Sequence, residues 1–165
     1  MPIVNGEGFI FWKRPLRVAG PASAASAAAR LGTLLAGGRF GLTARLVGVL
    51  DGPALRVWRR GPLAGAGDAV QFEGNLRAEA NGTVIEGTLC YKLATRIQFV
   101  GLLGIAALLL AAGTFRSLAG ADAGADLLAF AGALALAALA WIYASSRMRD
   151  EEIRFIENKL SEAVA

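Results

Sequence analysis

From Ile97 to Phe115 the chain reads IQFVGLLGIAALLLAAGTF, and from Leu127 to Ser145 it reads LLAFAGALALAALAWIYAS; neither run contains a charged residue. An α-helix rises about 1.5 Å per residue, so each run approaches the roughly 20 residues needed to cross about 30 Å of hydrocarbon. A helix of a soluble bundle carries a polar stripe, and neither run has one. The expectation is two transmembrane helices, 97–115 and 127–145. Trp141 and Tyr143 stand near the end of the second, where amphipathic rings favour the headgroup level. The short Gly/Ala/Asp-rich stretch from Arg116 to Asp126 suits a link between antiparallel helices, so the pair should form a hairpin.

The basic flanks give an orientation. Lys92 and Arg96 precede the first run and Arg147 and Arg149 follow the second, whereas the link carries Arg116 against Asp122 and Asp126. Lys/Arg bias close to the helix ends orients short-looped proteins, which places both termini in the cytoplasm. Lys13, Arg14 and Arg17 interrupt any apolar core of a cleavable signal within Met1 to Gly20, in agreement. Ala129, Ala133 and Ala137 recur every four residues as a small-residue face, with Gly101 and Gly104 as the expected opposing groove.

With 165 residues, the remainder has room for one soluble domain. Val70 to Leu93 shows its clearest pattern: Val70, Phe72, Gly74, Leu76 and Ala78 alternate with polar residues up to Asn81-Gly82, a preferred type I′ turn pair. With Asn81 and Gly82 as the loop, Ala78 opposes Ile85, Phe72 opposes Tyr91 and Arg77 opposes Glu86. A second hairpin is expected from Leu42 to Arg60 about Asp51-Gly52, with Leu46, Gly48 and Leu50 facing Leu55 and Val57. Phe9 to Val18 reads as a further strand, and Pro15 means that it lies at an edge or bends there. Pro21 to Ala36 reads as a helix with Ser23 as N-cap, a stripe of Ala24, Ala27, Leu31, Leu34 and Leu35, and Gly37-Gly38 as its stop. The tail RMRDEEIRFIENKLSEAVA carries Ile153, Ile156, Leu160 and Val164 at helical spacing. That stripe is expected to pack on the chain's own sheet or to offer a partner face.

The fold class is thus an α+β membrane protein: an N-terminal, mainly antiparallel sheet of about five strands with one helix (1–96), a transmembrane hairpin (97–145) and a C-terminal amphipathic helix (146–165). The last strand should run almost directly into the first span, which would bring Arg56, Arg59, Arg60, Lys92 and Arg96 to anionic headgroups.

Chemistry is sparse. The chain has no histidine and a single cysteine, Cys90, which excludes a His-based triad, a Cys/His zinc site and an internal disulfide. The expected register sets Cys90 opposite Glu73, where a carboxylate would raise the thiol pKa. Gly65 to Gly67 reads as a turn, and no phosphate-binding or nucleophile-elbow motif occurs. Its 17 basic residues are dispersed, which argues against nucleic acid. No catalytic residue, cofactor or metal is expected.

The order of parts, with the hairpin EANGTVIEG and the charged helix RDEEIRFIENKL, resembles a type of small bacterial inner-membrane protein with a β-rich domain, a two-helix membrane hairpin and a charged C-terminal helix. The resemblance implies architecture and no site residues. The expected function is a non-enzymatic accessory or anchoring subunit of the bacterial inner membrane, in contact with lipids and with another membrane subunit or further copies of itself. The competing expectation is a lipid- or small-ligand-binding module, its pocket enclosed by the apolar sheet face and the Ala-rich helix.

Overall fold

The computed structural model describes residues 11–36, 43–61, 69–119 and 123–165. The elements are β1 (Lys13–Gly20), α1 (Ala24–Ala36), β2 (Arg45–Asp51), β3 (Ala54–Arg60), β4 (Val70–Glu79), β5 (Gly82–Tyr91), α2 (Leu93–Leu118) and α3 (Ala123–Val164). The chain divides into a sheet unit, 1–92 with 148–165, and a helical unit, 93–147. Expected features at Phe9, Gly37-Gly38 and Gly65 to Gly67, and the middle of the helix link, lie outside the described residues.

The strands form one antiparallel sheet in the order β1-β5-β4-β3-β2. Period-two alternation puts Leu16, Val18, Leu46, Leu55, Val57, Val70, Phe72, Leu76, Ile85, Leu89 and Tyr91 on one face. Ala27 and Leu31 of α1 and Ile153, Ile156, Leu160, Ala163 and Val164 of α3 pack against that face. Fully burying a side chain such as Phe72, Ile85 or Ile156 contributes about 1.5–3 kcal/mol, so this layer dominates the unit's stability. Ser23 caps α1 as expected: its Oγ accepts from the Ser26 N–H at 3.2 Å. The entry to α1 is pinned further, since the Ala22 N–H donates to the Val164 carbonyl at 3.1 Å and the buried Thr83 hydroxyl to the Ala22 carbonyl at 2.7 Å.

Both expected hairpins form, but each turn is displaced by one residue, and the β4–β5 register differs by two residues. Phe72 opposes Leu89, Val70 opposes Tyr91, and the loop is Ala80-Asn81. A type I′ turn needs positive φ at both central residues; among the described residues only Gly52 and Gly82 have it, so Asn81 does not take that conformation. In the other hairpin Gly52, at φ 55, and Pro53 form the loop. Proline lacks the N–H that pairing requires, and its carbonyl accepts from the Leu76 N–H at 2.8 Å. A shift of two leaves every side chain on its face. Arg77 therefore opposes Val84 and still reaches Glu86 diagonally at 2.8 Å.

The expected separate tail helix is instead the end of α3, which runs unbroken from Ala123 to Val164. Its last part belongs to the sheet unit, and the stripe Ile153, Ile156, Leu160 and Val164 is buried there. That stripe is not a partner face.

Two helices, α2 and the apolar part of α3, are long and apolar enough to cross a membrane, with mean hydropathy 2.0 and 2.1 over their most apolar windows. Among the described residues of the helical unit, those buried are Phe99, Ala106 and Gly113 on α2 and Ala131 and Ala138 on α3, a seven-residue repeat. A β-carbon at Gly113 would meet the Leu128 side chain at 2.9 Å. Among the described residues of this chain, the two helices do not meet at the expected packing residues. A β-carbon at Gly101 or Gly104 would meet nothing within 4 Å, and Ala129, Ala133 and Ala137 are exposed. Seven residues return a helix to within about 20° of the same direction, whereas a four-residue repeat drifts further at each step. Small residues do line the seam, at heptad spacing.

Candidate functional site

The sheet unit contains one buried charged side chain among the described residues, Glu152, at 1% exposed. It lies on α3 just after the helix enters this unit, and its Oε2 accepts from the Val70 N–H at 2.8 Å. The reason is local. Pairing of β3 with β4 ends at Trp58 and Gln71, so β4 begins with an amide that the neighbouring strand does not satisfy. A buried amide must find an acceptor, and the carboxylate provides it.

Around this bond stand Tyr91, Arg149 and Trp12. The Trp12 and Tyr91 ring centroids are 5.8 Å apart, and the Arg149 guanidinium lies 5.1 Å from the Trp12 ring. Burial pushes the Tyr91 hydroxyl above its ordinary pKa; the adjacent Arg149 cation opposes the rise, and Glu152 and Asp150 add to it. Arg59, at the end of β3, faces the same side, with its guanidinium 5.5 Å from the Phe155 ring and 3.8 Å from Glu151. The cluster occupies the end of the sheet unit where the chain leaves at Lys92 and returns at Met148. It ties α3 to the first residue of β4 and the last residue of β5.

Two outcomes are expected. Glu152→Ala, which strands the Val70 N–H, should destabilise the sheet unit by about 1–3 kcal/mol, and Glu152→Gln, which retains an acceptor oxygen, by less. Amide exchange at Val70 measures this; equal protection in Glu152→Ala and the parent would refute the role. The second outcome concerns alkali. With its pKa raised by folding, Tyr91 contributes stability that is fully present below the ordinary tyrosine value of 10.0 and is lost as pH rises from there through the folded value. Tyr91→Phe should therefore flatten the alkaline limb of the unfolding profile and leave the neutral region's slope unchanged.

Of the basic residues expected at a membrane surface, Arg56, Arg60 and Lys92 lie on one face of the sheet unit. Arg56 and Arg60 share the outer sheet face with Trp58, over whose ring the Lys92 ammonium sits at 4.4 Å. Arg56 pairs with Glu73 at 3.0 Å. Arg59 points to the opposite face, and Arg96 lies on α2 in the helical unit.

Cys90 opposes Gln71, not Glu73, and is 6% exposed; the Gln71 amide nitrogen lies 3.8 Å from its sulfur. An open groove of about 620 Å³ crosses the outer face past Pro15, Arg17, Glu73, Asn75, Glu86 and Thr88. Its charges are already matched outside it, Arg17 with Glu79, Glu73 with Arg56 and Glu86 with Arg77. The groove therefore presents no unmatched acid-base pair. The place expected for a ligand pocket, between the apolar sheet face and α1, is filled by the α3 stripe. No group of three or more potential metal ligands occurs among the described residues.

Sequence reasoning named Arg149 only as a flanking charge and Tyr91 only as a strand residue, and it singled out neither Glu152 nor Trp12. In the sequence, Glu152 is one of several charges in RMRDEEIRF, yet it directly precedes Ile153 of the apolar stripe, the one hint that it borders the core. No family of known proteins, no curated protein and no solved structure matches the chain.

Proposed function

We propose that the protein is a non-enzymatic accessory or anchoring subunit of a bacterial inner membrane, which keeps a small β-rich domain at the cytoplasmic leaflet for partner binding. The observation that carries this reading is the exposure of the two apolar helices. Only 17% and 11% of their most apolar windows are buried within the molecule, leaving Ile105, Leu108, Phe115, Phe130, Leu136 and Leu139 uncovered. The core helix of a soluble protein would be mostly covered, and a continuous apolar surface of this size is not stable in water. Hydrocarbon suits it, because every backbone group inside a helix is already paired. Both segments also lie far from the amino terminus, unlike a signal sequence.

Further support comes from the ends of the spans. The Tyr143 hydroxyl accepts from Arg147 at 2.8 and 3.1 Å, an aromatic and basic pair of the kind that anchors a helix at an interface. Lys92, Arg96, Arg147 and Arg149 on one side, against Arg116 on the other, favour cytoplasmic termini. A catalytic role has no support in a chain that lacks histidine and has a buried lone cysteine.

Thiol labelling tests topology. Single cysteines at exposed Ala119 and Ser161, in a Cys90→Ser background, are treated in intact cells with an impermeant maleimide. Labelling at Ala119 and, only after permeabilisation, at Ser161 is expected; the reverse pattern would invert the topology. Extraction of the protein from membranes by alkaline carbonate alone would sink the integral reading.

A further inference from the structure

Strand β2 ends the sheet opposite β1, and among the described residues no strand pairs with its outer side. The two edges differ in chemistry. β1 carries Lys13, Arg14, Pro15 and Arg17, the charges and proline that discourage further pairing. β2 reads Arg45-Leu46-Val47-Gly48-Val49-Leu50-Asp51, with neither proline nor an inner charge, and Val49 is 59% exposed. An edge strand whose five inner residues carry no charge invites another strand.

The order of its residues says which. Laid antiparallel on itself about Gly48, β2 pairs Arg45 with Asp51, Leu46 with Leu50, Val47 with Val49, and Gly48 with Gly48. Charge meets opposite charge at both ends, and each apolar residue meets one of its own kind. The faces agree as well, because paired residues share parity: arginine, valine and aspartate lie on the outer face, and the leucines and glycine on the helix-covered face.

The backbone is compatible with the same register. Hydrogen-bonded and non-bonded pairs alternate in an antiparallel ladder, and a two-residue loop closes on a bonded pair, here Asp51 with Ala54. Leu46, Gly48 and Leu50 then turn their N–H and C=O groups away from β3. These are the residues that the dyad sets opposite one another. We infer that β2 is a homodimerisation edge, at which two copies of this chain join by antiparallel β2–β2 pairing centred on Gly48 into one ten-stranded sheet. Such an interface is isologous and closed, so it pairs the two β2 edges with each other and stops at two copies. The inference specifies one partner within the proposed function but does not depend on membrane insertion, and its test reads pairing alone.

The test uses the full chain in expressing cells with Cys90→Ser. In the inferred register Val47 and Val49 of the two copies form a non-hydrogen-bonded pair with α-carbons about 4.5 Å apart, inside the range that a disulfide bridges. Val47→Cys/Val49→Cys, oxidised with diamide before lysis, should run at twice the chain mass on a denaturing non-reducing gel and return to monomer on reduction. Val49→Cys alone, which the register places away from its own symmetry mate, should stay monomeric. A second arm exchanges charges in the double-cysteine background: Arg45→Asp or Asp51→Arg alone should lower the cross-linked fraction at least several-fold. Coexpression of the two with different tags should restore it as a mixed dimer, since both end pairs are then opposite in sign. A double-cysteine variant that stays monomeric, an adduct of any other mass, equal cross-linking of Val49→Cys alone, or no preference for the mixed dimer would each overturn the inference.

Discussion

Ile156→Asp is expected to unfold the sheet unit while the protein remains in the membrane fraction. Ile156 is fully buried among the residues that join α3 to the sheet, and the helix places it within one turn of Ile153 and Leu160. A carboxylate there loses its hydration without a cation to replace it, a penalty of several kcal/mol even after relaxation. Small domains have only about 5–15 kcal/mol of stability in all, so this single change removes most of it. The conservative Ile156→Val should cost about 0.5–1.5 kcal/mol and leave the fold intact. Fluorescence of Trp12 and Trp58, with amide protection of β5, reads the difference. Native protection in Ile156→Asp would mean that the α3 segment is not part of this core.

Gly87→Val should be nearly as damaging, for a steric reason. Gly87 and Gly74 oppose each other at the centre of the β4–β5 ladder, on the helix-covered face. A β-carbon on Gly87 would lie 2.2 Å from the Glu73 carbonyl oxygen and 2.4 Å from the Gly74 α-carbon, and both atoms are backbone. No rotamer change relieves such contacts, so the strands must separate. Overpacking usually costs about 1–3 kcal/mol; a β-branched residue against backbone in the middle of the sheet should exceed that range and abolish β-strand protection. Gly32 supplies the contrast. It lies in α1, and a β-carbon there meets nothing within 4 Å, so Gly32→Ala should stabilise by about 0.5–1 kcal/mol through helix propensity. Equal effects of the two changes in chemical denaturation would refute the steric argument.

Part of this architecture could be read without coordinates because it is written in short-range repeats. Alternation in VQFEGNLRAE and GTVIEGTLCY assigned the faces of β4 and β5, and the faces survive a two-residue change of register. The register itself was less legible. Asn81-Gly82 favours one turn in isolation, but the loop moved to Ala80-Asn81, with Gly82 packed so closely that a β-carbon would meet the Gly20 carbonyl at 2.0 Å. The candidate polar cluster was illegible for a similar reason. Trp12, Val70, Tyr91 and Glu152 come from four separate stretches of chain, and no local repeat records their meeting.

The sequence by itself determined the two uncharged apolar runs as helical, the strands and which face of each is apolar, and the N-cap at Ser23. Each follows from hydrophobicity, periodicity or backbone restriction within a few residues. Only the tertiary structure decided that α3 is one helix from Ala123 to Val164, that its stripe completes the chain's own core, and that the helices meet along a seven-residue seam. Helix periodicity says that a face is apolar but not what covers it. That choice depends on which distant surfaces remain uncovered once the sheet has formed, and burial of the stripe on this sheet removes apolar area from water without a partner.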